Sequence, residues 1–303
     1  MGLLVNLGEK KSLTFKSTDI RGVDLVSYNV QDNTGEGRGQ GDPNVEGIDW
    51  SRVYINITLN QGGHSHTIAA TSVKPLAQHL NYLSNEFRYC ANEQMVSDYD
   101  GDTKIGGATL DFGGVINLRG EDSLVVEIRV QSDCVNTNWS TTASYIEMDG
   151  LEGVGLQYTT PIFKTFAING GESKFSHSIG ENTTAVSIQN ISSSPSTDKA
   201  YSPWQNARLF SDRFNTNDDW GQLWSKRVSL FESAQDTRYQ SFVISLETTD
   251  DTQIQLDLFP LNNQTNENYV CYSQFLTNAT IVRDASRRAK KHAEKSIQKI
   301  AKG

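Results

Sequence analysis

The chain has 303 residues, 36% of them hydrophobic and 21% charged, with a formal net charge of −9. No apolar run approaches the ~20 residues a membrane-spanning helix needs, and three cysteines, Cys90, Cys134 and Cys271, do not make a disulfide framework. The opening MGLLVNLGEKK carries its charges after a short apolar stretch, unlike a secretory signal, so cytoplasmic synthesis with reduced thiols is expected.

Residues 1–10 read as an arm. From Leu13 to Val30 apolar and polar residues alternate, the period of strands with one buried face. Residues 31–47, QDNTGEGRGQGDPNVEG, are Gly-rich and polar and read as a long exposed loop. They lack the Lys-Ser/Thr ending and following apolar helix of a phosphate-binding loop. Arg52 to Leu59 is a strand. His64 and His66 share one strand face, but no third metal ligand is identifiable, so a solvent-facing pair is expected.

Pro75 to Glu93 reads as the first helix, with Leu76, Leu80, Leu83 and Phe87 on one stripe. Asp98, Asp100 and Asp102 alternate in the next segment and are the candidate ligands of a structural calcium ion. The acid before the Gly and the distant Glu of an EF-hand are missing, so a surface turn with no metal or cofactor is the default expectation. Residues 149–155 (DGLEGVG) read as a connector. Strands follow at Phe163–Ile168 and Lys174–Gln189, a second helix at Asp218–Ala234, and a last strand near Tyr269–Phe275.

The chain repeats itself. Ile116, Leu118, Leu124, Val126 and Ile128 match Ile244, Leu246, Ile254, Leu256 and Leu258, with two residues added in the second copy's polar centre. Each copy reads as a hairpin. Phe15 with Val26-Ser27 matches Phe175 with Val186-Ser187 at an offset of 160. In both halves a helix precedes the repeated segment. The expected fold is mainly all-β: two tandem eight-stranded jelly-roll β-barrels with short inserted helices. The expected divisions are an arm at 1–10, a first barrel at 11–152, a second at 153–282, and a tail at 283–303.

The tail changes character. Residues 283–303 hold eight Lys or Arg and two acids, a net +6 that leaves −15 on the rest of the chain. Ala285, Ala289, Ala293, Ile297 and Ile300 form a narrow apolar stripe, so a basic amphipathic helix suited to an anionic surface is expected. No catalytic motif accompanies the five histidines, and an enzyme is not expected.

The duplication, the helix placement and the basic tail resemble the double jelly-roll major capsid proteins of membrane-containing icosahedral bacteriophages, of tectivirus, corticovirus and finnlakevirus type. The resemblance spans about Leu13 to Asn278 and rests on organisation, without a short motif. It implies a structural virion protein, made in the host cytoplasm, that forms homotrimers of pseudo-hexagonal outline and then a capsid lattice over an internal membrane. It further implies vertex and minor capsid proteins as partners, and no sequence-specific nucleic acid. Arg287, Arg288, Lys290, Lys291, Lys295 and Lys299 would face membrane lipid phosphates or the inner shell. The alternative is a carbohydrate-binding two-domain β-sandwich, a lectin or spike, with Trp50, Trp139, Trp204, Trp220 and Trp224 lining a sugar site.

Overall fold

The computed structural model describes residues 2–30, 47–83, 97–100, 103–135, 139–157, 159–168, 174–179, 183–190, 204–211, 215–219, 222, 242–245, 254–260 and 268–277. Nine strands come first: β1 (Leu3–Asn6), β2 (Lys10–Lys16), β3 (Asp19–Val30), β4 (Val53–Gln61), β5 (His64–Ser72), β6 (Ser97–Asp100), β7 (Thr103–Asn117), β8 (Ser123–Val130) and β9 (Tyr145–Glu152). Helix α1 (Val73–Leu83) follows β5. They form two antiparallel sheets, ordered β1-β9-β3-β7-β6 and β2-β8-β4-β5.

The described residues of the second half form eight strands: β10 (Thr159–Ile168), β11 (Phe175–Ser178), β12 (Thr183–Asn190), β13 (Trp204–Phe210), β14 (Asn215–Asp219), β15 (Phe242–Ser245), β16 (Gln255–Pro260) and β17 (Asn268–Thr277). Their sheets run β10-β17-β12-β15 and β11-β16-β13-β14. In each half, with β6 set aside as an addition, the first, eighth, third and sixth strands make one sheet. The second, seventh, fourth and fifth make the other. That order is the jelly roll, and the chain contains it twice.

The first barrel's core lies between its sheets. Leu25, Leu110, Ile116 and Met148 from one sheet meet Ile57, Leu59, Leu124, Val126 and Ile128 from the other, all at 2% exposure or less. Each such side chain contributes roughly 1.5–3 kcal/mol by leaving water. The repeated segment is in phase here: Leu256 and Leu258 of β16 are as buried as Val126 and Ile128 of β8.

Four expectations are corrected. The repeated segment is not a hairpin. β7 pairs with β3 and β6, whereas β8 pairs with β2 and β4, so the turn at Arg119–Asp122 carries the chain from one sheet to the other. Alternation reports which face is buried; it does not name the neighbouring strand. The arm is in part a strand: Leu3–Asn6 pairs with Tyr145–Met148 and buries Val5 completely. The match of Val26-Ser27 to Val186-Ser187 falls on equivalent strands, β3 and β12, but one residue out of phase. Ser27 points into its barrel, where Asn29 donates to it, whereas Ser187 points out towards α1. Finally, Asp218 and Asp219 end strand β14. Asp219 and Gln222 then exchange hydrogen bonds, each backbone N–H donating to the other's side chain at 2.9 Å, which is a capping box. The second expected helix therefore starts after Asp219, and its remainder at 223–234 lies outside the described residues, as do residues 84–93 of the first.

Candidate functional site

Of the residues singled out by sequence, Asp98 and Asp100 sit two apart in β6, and Asp102 lies outside the described residues. Among the described residues no group of three or more His, Cys, Asp or Glu could hold a metal ion. His64 and His66 open β5 with ring centroids 6.1 Å apart. Trp50 and Trp139 are 1% and 3% exposed, so neither offers a stacking face to a sugar. The basic residues Arg287, Arg288, Lys290, Lys291, Lys295 and Lys299 lie outside the described residues. Among the described residues no helix is long and apolar enough to cross a membrane.

The structure instead draws attention to the junction between barrels. Helix α1 buries Leu76, Ala77 and Leu80 in the first core. Its His79, fully buried, points the other way. His79 Nδ1 and Ser187 Oγ of β12 share a hydrogen bond of 2.7 Å. The ring meets Phe163 of β10 edge-on at 6.1 Å, and Phe163 meets Phe112 of β7 at 6.3 Å. Phe163 is 3% exposed and packs within the first barrel's core cluster, although it belongs to the second barrel's sheet. Burial pushes the His79 imidazole down to about 3, so the ring is neutral at ordinary pH. His79 was not singled out from the sequence. The available signal was its spacing, three residues after Leu76 and four before Leu83, on the helix's apolar stripe.

A polar network pins the connector to the first barrel. Gln157 N donates to Asn117 Oδ1 at 2.7 Å, and Asn117 N donates back to Gln157 Oε1 at 3.0 Å. Gln157 Nε2 donates to Gln61 Oε1 at 3.1 Å and to Thr160 Oγ1 at 2.9 Å. Asn117 Nδ2 donates to Gly155 O and to Asp19 Oδ1. The Asn117 hydrogen bond, with the Arg119 guanidinium 2.6 Å away, holds the Asp19 carboxyl below its ordinary value. Beside this pair an open cleft of about 540 Å³ is lined by Thr18, Glu152 and Gly153 among others. All of its lining residues, from Ser17 to Gly153, come from the first barrel and the start of the connector.

On the second barrel's outer face Asp257 is 3% exposed. Burial alone would raise its carboxyl, but Ser176, Lys174 and Gln255 hold it below the ordinary value through hydrogen bonds. Lys174 Nζ lies 3.0 Å from Asp257 and 5.6 Å from the Phe259 ring centroid. This satisfied cluster fastens the edge strand β11 to β16.

No protein-family model matches the chain, and no curated protein matches it in sequence. Solved structures do. The chain is similar to a crystal structure of the STIV MCP, with a TM-score of 0.60 and 12% identity, covering 91% of this chain and 94% of that one. It is similar to a chain in the atomic structure of Sulfolobus turreted icosahedral virus, with a TM-score of 0.58, 12% identity and 96% of both chains covered. A third is the major capsid protein P2 from bacteriophage PM2, at TM-score 0.50 and 10% identity, covering 91% of this chain and 98% of that one. The class of the fold is thus the double jelly roll. Its structural neighbours are viral major capsid proteins.

Proposed function

We propose that this chain is the major capsid protein of an icosahedral virus. The observation that carries the reading is the twice-used jelly roll shared, over more than nine-tenths of both chains, with structures of capsid proteins. Its partner is first itself. Three copies form a capsomer of six barrels, and capsomers tile a shell. The basic tail, residues 283–303, lies on the inner side and binds anionic lipid head groups of an internal membrane. Vertex and minor capsid proteins complete the shell, and the protein resides in the virion. The role is architectural.

The test is the native mass of the purified chain by light scattering. The subunit is 33.6 kDa, so a capsomer scatters as roughly three times that mass. A trimer is expected. A monomer at high concentration would overturn the capsomer.

A further inference from the structure

Among the described residues, the large apolar side chains most open to solvent are Val154, 100% exposed, and Leu156, 71% exposed. Both lie in the connector, residues 153–157, between β9 and β10. The segment is fastened, so it presents these side chains from a fixed backbone. Gly153 N donates to Asp19 O at 2.9 Å, Gly155 O accepts from Asn117 Nδ2 at 3.0 Å, and Gln157 Nε2 reaches Gln61. With no side chain at 153 the backbone lies close on Val115 of β7, where an added Cβ would come within 2.9 Å of Cγ2. Gly153, Gly155 and Gln157 hold the barrel, and Val154 and Leu156 turn away from it.

The place of the pair in the fold says what covers it. The connector runs along the end of the first barrel that carries the β2–β3, β4–β5 and β7–β8 turns. Leu118 N donates to Thr18 O, and Gly62 N donates to Asp122 Oδ1, so these turns are tied together. The last strand comes to the same end. β17 pairs antiparallel with β10 and closes with Thr277 opposite Thr159, just after Leu156. The chain therefore leaves its second barrel beside the connector, and the basic tail begins soon afterwards, at residue 283. Glu121, Asp122 and Glu152 share this end with Lys16 and Arg119, so the end itself does not attract an anionic surface. The tail supplies the charge, and its own apolar stripe is mostly Ala, which reaches only shallowly into lipid. A polybasic segment and an apolar group together hold a membrane surface that neither holds firmly alone.

We infer that Val154 and Leu156 dip into the lipid surface that the tail binds, as the apolar half of one attachment site. The tail acts through charge and weakens as salt screens it. The pair acts by leaving water, which salt does not screen. Because the connector's backbone is already fixed, inserting the two side chains orders no loop and loses little entropy. The inference rests on the reading of the tail as lipid-binding and adds a second group at the same surface.

The experiment sediments the full-length chain with vesicles of mixed phosphatidylglycerol and phosphatidylcholine across a salt series. Val154→Ser combined with Leu156→Ser is compared with the wild type and with Tyr54→Ser, a control 44% exposed on sheet β2-β8-β4-β5. The double variant should bind about tenfold more weakly, ~1.4 kcal/mol, with the salt dependence of the wild type retained. Tyr54→Ser should bind as the wild type does. Leu156→Trp should bind more tightly, and its added emission should shift to the blue on vesicles. Thermal unfolding and native mass are read for each chain, and both should be unchanged, because the two positions are open to solvent. A double variant that binds as tightly as the wild type would overturn the connector's lipid contact and leave the tail's attachment standing. A double variant of altered native mass with unaltered vesicle binding would overturn it too, and would give the pair to another copy of the chain. A full-length chain that binds no vesicle would overturn both readings.

Discussion

His79 in α1 and Ser187 in β12 lie 108 residues apart in the chain, and their Nδ1 and Oγ atoms share a 2.7 Å hydrogen bond across the joint between barrels. The folded protein holds His79 neutral, with its value near 3 against an ordinary 6.5. Below pH 6.5 the unfolded chain takes up a proton at this position and the folded one does not, so stability falls as pH falls. The loss continues towards pH 3, at up to ~1.4 kcal/mol per pH unit. His79→Asn keeps a polar partner for Ser187 and removes the titration. Its urea unfolding free energy should fall less steeply between pH 6.5 and 4.5 than that of the wild type. Parallel slopes would show that the imidazole does not couple to folding.

Phe163 belongs to the second barrel's sheet yet packs with the first barrel's core. Phe163→Ala should cost about 3–5 kcal/mol, the range for deleting a buried ring. Because the lost contacts span the joint, calorimetry should resolve two transitions where the wild type has more overlapping ones. A single transition lowered as a whole would mean that the barrels stay coupled through the His79–Ser187 hydrogen bond and the Gln157 network.

Gly22 sits where the pairing of β3 with β7 shifts register. A Cβ there would lie 2.2 Å from the Leu110 carbonyl oxygen, a backbone atom held in the ladder. Gly22→Ala should therefore destabilise by about 1–3 kcal/mol, as over-packing does. Gly107→Ala places its Cβ 3.4 Å from the Leu25 oxygen and should cost much less. Denaturant midpoints of the two variants check the ranking, and equal midpoints would contradict it.

The tail carries +6 on a chain whose other residues sum to −15. Full-length protein should sediment with vesicles rich in anionic lipid at low salt, and a chain ending at residue 282 should not. Binding should weaken steeply between 50 and roughly 300 mM salt as the attraction is screened. Equal binding by both chains would place the lipid contact elsewhere.

Much of this architecture is legible in the residues. Buried positions two apart, such as Leu124, Val126 and Ile128, mark the core face of β8, and Ile254, Leu256 and Leu258 carry the same face into β16. Pattern alone could not show that β7 and β8 lie in different sheets, because alternation is the same whichever strand sits alongside. It also could not phase Ser27 against Ser187, since both are small, polar and buried. Residues 3–6 are too short to show a period, and only Val5 burying against β9 reveals a strand. The joint was hardest to see. His79 has the spacing of the helix's apolar stripe, but only the folded structure shows that β12 supplies its partner, and Gln157 carries no pattern of its own.

If the chain builds a shell as proposed, the contact of α1 with the second barrel's sheet also bears on how fast that shell is supplied. Two barrels that are tethered find each other at an effective concentration set by the short connector, not by how much protein the cell has made. In a ring of six barrels built from three chains, half of the lateral contacts would form as each chain folds. Only the other half would depend on collisions between molecules. Capsomer formation would then require few encounters even when newly made chains are scarce, and few half-built rings would be left waiting for a missing piece.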